Sequence, residues 1–139
     1  MSLFSPNHVD YLPICLAIAM VGAKVTPLNP LYTEHEVTTI LDRSSSKILF
    51  AHAKLLPVAL EAVAKSKTVT HIIVVPDAEK DVHIPTETVD FQSLLDYKHA
   101  PQLTASVDEV HNHLKDIDNH PWLLPYSSGT TGEYRSYHA

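Results

Sequence analysis

The 139-residue sequence contains a single cysteine, Cys15, so no disulfide can close within the chain. Long apolar runs are absent too. The longest runs from Leu12 to Val21, well short of the roughly 20 residues a helix needs to cross a bilayer. Basic charge is scarce: 10 Lys and Arg stand against 16 Asp and Glu, a formal net charge of -6. The few cations are scattered, which excludes a phosphate-backbone track and with it a nucleic-acid partner. The first residues, Met1 to Pro6, lack the basic and apolar regions of a signal peptide, and the last residues carry no peroxisomal signal. The expectation is an intracellular protein, cytoplasmic or peroxisomal. Glycine is the most telling shortage. Average usage near 7% would give about ten, but the chain has three, Gly22, Gly129 and Gly132. Two of them share one Ser/Thr-rich loop, as if a particular backbone geometry were required there.

The remaining composition is globular, with 45% hydrophobic and 19% charged residues, and the length suits one domain. Leu3 to Ser5 reads as the end of a short strand, and Pro6-Asn7-His8 as a turn and helix cap. Asp10 to Val21 reads as a helix that is apolar nearly all round, a pattern typical of burial, with Pro13 in its first turns and Gly22 at its end. Val25 to Leu28 is extended. Thr33 and Glu36 match a capping box, and Val37, Ile40 and Leu41 follow at helical spacing, so a helix over Glu34 to Arg43 is predicted. Capping accounts for Glu34 and Glu36 better than acid–base chemistry does. Lys47 to Ala51 reads as a strand, Leu55 to Ala64 as a helix, and His71 to Val75 as the strongest strand in the chain.

Residues 77–120 read as a polar, irregular excursion with one short helix over Phe91 to Tyr97. Trp122 to Tyr126 then reads as a final apolar strand. Alternating helices and continuous apolar strands indicate an α/β fold, a partial doubly wound sheet of mostly parallel strands with intervening helices. Cys15 reads as a small buried hydrophobe, and His111, His113 and His120 as parts of a solvated loop rather than a zinc site.

The apolar strand runs into Ser127-Ser128-Gly129-Thr130-Thr131-Gly132. Glycines let several backbone N–H groups converge on one anion, and hydroxyls add donors. This is a phosphate-binding composition. It is not the G-x-x-x-x-G-K-[ST] loop of nucleotide hydrolases, because the glycines are too close and Glu133 stands where lysine is required. An ordinary polar turn and an unrelated phosphate-binding α/β module are the alternatives.

The run Leu124 to Gly132 (LPYSSGTTG) resembles the phosphate-binding signature of the acyl-adenylate-forming superfamily, in particular its 4-coumarate–CoA ligase, firefly luciferase and acyl-CoA synthetase branch. A second, independent match spans Ser5 to Val37 (SPNHVDYLP…GAKVTPLNPLYTEHEV). The resemblance implies that the chain is a piece of a larger N-terminal adenylation domain, with 1–139 as a partial AMP-binding domain. It implies ATP-dependent, magnesium-dependent activation of a small-molecule carboxylic acid to an acyl-adenylate, followed by transfer to CoA. By position, Ser127, Ser128, Gly129, Thr130, Thr131 and Gly132 would hold ATP phosphates.

The family continues Leu-Pro-Lys-Gly where this chain reads Glu133-Tyr134-Arg135-Ser136. Arg135 would thus stand in for the family lysine, and residues 133–139 read as an aberrant tail. The family's acyl pocket, magnesium-binding glutamate and catalytic lysine have no counterpart here. The accompanying expectation is a truncated, non-catalytic fragment, with neither catalytic nor metal-binding residues of its own.

Overall fold

The computed structural model describes residues 1–77, 84–96, 121–128 and 134–136; for 127–128 and 134–136 it describes the backbone alone. Five strands form one parallel sheet in the order β2-β1-β3-β4-β5. They are β1 (Ser2–Phe4), β2 (Thr26–Leu28), β3 (Ile48–His52), β4 (His71–Val75) and β5 (Val89–Asp90). Helices connect the first four: α1 (Tyr11–Met20), α2 (Glu34–Arg43) and α3 (Leu56–Lys65), while α4 (Phe91–Leu95) follows β5.

Alternating side chains send each strand's apolar residues to both faces. Phe4, Leu49, Ala51, Ile72 and Val74 pack with Val37, Ile40 and Leu41 of α2 and with Leu56, Ala59 and Ala62 of α3. Leu3, Phe50, Ile73 and Val75 pack with Ile14, Cys15 and Ile18 of α1 and with Phe91 of α4. The sheet is therefore wound on both faces, as expected from the sequence, and the winding direction switches between β1 and β3.

Local chemistry fixes the helix ends. The Thr33 side chain accepts the Glu36 N–H, while the Glu36 carboxylate accepts both the Thr33 N–H and its hydroxyl at 2.8 Å. Glu34 pairs with Lys65 of α3 at 3.0 Å. Losing the cap removes one orphan donor's partner and costs about 1 kcal/mol. Thr33→Ala should therefore lower stability by that amount in urea titration, and Thr33→Ser should restore most of it. Gly22, at φ 73°, closes α1: its N–H bonds to the Ala19 carbonyl, and that of Ala23 to Ile18. The same two-bond closure ends α2, with Ser45 in the left-handed region at φ 51°.

Four expectations are revised. First, α1 is not buried all round. Ile14, Cys15 and Ile18 are buried, but Leu12 and Met20 are 61% and 67% exposed, and Leu16 is exposed as well. One sheet face can cover only one stripe of a helix. Second, the Pro6-Asn7-His8 turn meets α1 through His8, whose carbonyl accepts the Tyr11 N–H and whose Nδ1 accepts the Asp10 N–H, while Asp10 at the N-cap makes no side-chain cap bond. Third, the polar excursion contains β5, which the sequence did not announce because a two-residue strand has no periodicity to read. Its short helix ends at Leu95, and residues 78–83 and 97–120 lie outside the described residues.

Fourth, the final apolar strand is reduced to one bridge, Val25 with Leu123. The Val25 N–H donates to Trp122 O and the Leu124 N–H to Val25 O, both at 2.7 Å. The next rung of a parallel ladder would need an N–H from Pro27, which has none. No helix among the described residues is long and apolar enough to cross a membrane.

Candidate functional site

The parallel strands all end at one edge, and in open α/β sheets the crevice at that carboxyl edge, near the switch in winding, is where ligands sit. The bridge between Val25 and Leu123 is parallel, so the chain from Leu123 runs alongside β2 toward the same edge. Tyr126 is half-buried against the α2/α3 core cluster, as is Tyr32. Burial pushes both phenols above their ordinary range; the nearby Arg43 opposes this for Tyr126, and Glu36 adds to it for Tyr32. Tyr126 is thus the apolar anchor from which the Ser/Gly/Thr segment departs.

That segment opens as a hairpin. Strand β6 (Tyr126–Ser128) pairs antiparallel with β7 (Tyr134–Ser136), and the register sets Tyr126 against Ser136, Ser127 against Arg135 and Ser128 against Tyr134. Hydrogen-bonded and non-hydrogen-bonded pairs alternate along an antiparallel ladder. Either Ser127 or Ser128 therefore has its N–H committed to β7. Of the sequence-predicted site residues, Ser127, Ser128 and Arg135 lie in this ladder, whereas Gly129, Thr130, Thr131 and Gly132 lie outside the described residues. The register brings Arg135 level with Ser127, at the root of the hairpin.

The other loops of the carboxyl edge add polar groups that sequence reasoning did not single out. After β2, the Asn29 side chain accepts the Leu31 N–H at 3.0 Å. After β3, His52 is buried and its Nδ1 accepts the Lys54 N–H. Lys54 pairs with Asp77 beyond β4 at 2.9 Å. After β1, His8 stands with its ring centroid 5.1 Å from that of His52. These histidines are 44 residues apart in the chain, so no local pattern could have paired them. Among the described residues, no three His, Cys, Asp or Glu side chains gather in a way that would hold a metal. Cys15 is buried on the sheet-facing side of α1, and burial raises its thiol above the ordinary range, which disfavours the thiolate. His111, His113 and His120 lie outside the described residues.

The model of one protein family, described as AMP-binding enzyme, matches residues 1–134. Among curated proteins, 4-coumarate-CoA ligase 1 of Narcissus pseudonarcissus is 31% identical over 136 residues, covering 94% of this chain and 21% of its own length. Peroxisomal OPC-8:0-CoA ligase 1 of Arabidopsis thaliana is 32% identical over 131 residues, with the same coverage of 94% and 21%. This chain therefore spans about a fifth of the length of these relatives.

Among solved structures, an anthranilate CoA ligase in complex with anthranoyl-AMP superposes with a TM-score of 0.73 at 21% identity, over 97% of this chain and 23% of that one. A red-emitting luciferase of Phrixothrix hirtus gives 0.73 at 20% identity, over 97% and 31%. These two likenesses show a shared fold: the mostly parallel sheet with helices is that of the N-terminal domain of adenylating enzymes.

Proposed function

We propose, from the premise that this chain belongs to the AMP-binding enzyme family, that it supplies the phosphate-holding part of an enzyme that joins a carboxylic acid to CoA through an acyl-adenylate. The observation that carries this reading is the β6–β7 hairpin. It is rooted beside β2 and directed toward the carboxyl edge of a parallel sheet, and its first strand carries Ser127 and Ser128, which open the Ser/Gly/Thr run. Because the ladder takes up an N–H of Ser127 or Ser128, the donors left for ATP phosphates are mainly those of Gly129, Thr130, Thr131 and Gly132, with their hydroxyls as helpers. Arg135, level with Ser127, is the cation of the site. It serves as a forked donor rather than the point charge that the family's lysine provides. Such donors act by being in place before charge develops on the departing pyrophosphate.

ATP, the acid and CoA are the proposed substrates, supported by relatives that are CoA ligases by name. Magnesium is the metal the reaction would use; among the described residues no three His, Cys, Asp or Glu side chains gather around one point. The cytoplasm or the peroxisome is the proposed compartment, the latter supported by the name of the Arabidopsis relative.

The test joins residues 1–132 to the remaining length of the Narcissus ligase. With ATP, magnesium and a cinnamic or fatty acid, this chimera should release pyrophosphate only when the acid is present. A folded chimera that binds acid and CoA but releases none would overturn the reading. The 139-residue chain alone should release no pyrophosphate above blank. Acid-dependent release from it would overturn the proposed division of labour.

A further inference from the structure

Two histidines meet at the carboxyl edge, outside the proposed phosphate chemistry. His8 follows β1 and His52 ends β3, the neighbouring strands between which the winding switches. Their rings meet edge to face, 5.1 Å apart at 62°. The two loops use the same device. The Nδ1 of His8 accepts the Asp10 N–H and the Nδ1 of His52 accepts the Lys54 N–H, each at 3.2 Å. A ring nitrogen that accepts a hydrogen bond carries no proton, so the bond from the Lys54 N–H requires the His52 ring to be neutral, with the proton on Nε2.

The charged and titratable groups facing the pair come from three elements. The β1 loop gives Asp10, 3.5 Å from His8. The turn Ala53–Leu55 gives Lys54, and the end of β4 gives Asp77, only 9% exposed and paired with Lys54. His52 itself is 2% exposed.

We propose that His52 is a proton-sensitive latch: a proton taken from solvent at its Nδ1 breaks the bond from the Lys54 N–H, frees the start of the Ala53–Leu55 turn, and sets the new imidazolium in competition with Lys54 for Asp77. The carboxyl edge between β3 and β4 is ordered at neutral pH and loosens in mild acid. The latch rests on the His8–His52–Lys54–Asp77 geometry and holds whether or not the phosphate reading does.

Desolvation is the largest influence on His52, and the neighbouring His8 and Lys54 also disfavour its charged form; Asp77 alone opposes them. In the folded chain the ring therefore protonates below its ordinary value of 6.5. The unfolded chain takes up that proton first, so stability is full above about pH 6.5 and falls as pH drops through the folded value. Carboxylates titrate nearer pH 4, and because the chain carries nine further histidines, the comparison with a variant lacking only this ring isolates its contribution.

The test uses the full chain and His52→Asn, because asparagine offers a side-chain acceptor to the Lys54 N–H and does not titrate. In urea titrations from about pH 7.5 down to about pH 5, the folding equilibrium of the natural chain should weaken by up to about tenfold per pH unit, the limit for one proton. That of His52→Asn should weaken less steeply over the same range. Ring nitrogen shifts in the natural chain should report an unprotonated Nδ1 at about pH 7.5, and the Lys54 amide should lose exchange protection as the ring titrates. Parallel pH profiles for the two proteins, or an Nδ1–H tautomer at neutral pH, would overturn the latch. If His52→Asn does not fold, the ring shifts and the Lys54 amide of the natural chain decide.

Discussion

Replacing Gly129 by valine in the chimera with the Narcissus ligase should reduce ATP-dependent adenylation on the order of a hundredfold or more, the range for losing aligned donors at a developing anion. Under the proposed function, phosphate approaches the backbone of the Ser/Gly/Thr segment closely. A branched Cβ at Gly129 would block that approach and disfavour any positive φ. Thr130→Ala, which removes a hydroxyl and leaves the backbone intact, should cost less, roughly ten- to a hundredfold, in line with about 1.5–3 kcal/mol for a hydrogen bond to a charged group. Both losses should appear in pyrophosphate release. Thioester formation from a supplied acyl-adenylate should be spared, because pyrophosphate has already left. If Gly129→Val kept full adenylation, residues 127–132 would not hold the phosphates and the proposed function would lose its support.

Phe4→Ala should unfold the chain or leave it without a cooperative transition. Phe4 is fully buried and sits on β1, the strand bonded to both β2 and β3. It lies in the cluster that joins Leu28, Leu49 and Ile40 across two helices and four strands. Truncating a buried Phe costs about 3–5 kcal/mol, comparable to the low end of the total stability of a domain, about 5–15 kcal/mol. β1 has only three residues, so no neighbouring side chain on that strand face can take over its packing. Denaturation by urea followed by circular dichroism reads the outcome. A midpoint within about 1 kcal/mol of the natural chain would mean that the sheet does not depend on this contact. Leu49→Ala, on the adjacent strand in the same cluster, should cost about 2–5 kcal/mol.

The sequence alone determined whatever depends on neighbours within a turn or two of chain. The capping box at Thr33 and Glu36, the apolar stripe of α2, the β-branched run of β4 and the glycine that closes α1 each depend on groups a few residues apart, and their periodicities can be read directly. Tertiary structure decided whatever depends on a partner far away in the chain. Trp122 to Tyr126 has the composition of a strand, yet its ladder stops after one bridge because the facing Pro27, about a hundred residues earlier, has no N–H to offer. The apolar residues of α1 do not reveal which stripe the sheet covers; Ile14, Cys15 and Ile18 were selected by the position of β3 and β4 beneath them. His8 and His52 are unremarkable singly, and only the adjacency of β1 and β3 brings their rings together. The common reason is that helices and turns are stabilised by short-range bonds that the local sequence specifies. Strand order and register are set instead by matching faces and donors across segments that the chain brings together only on folding.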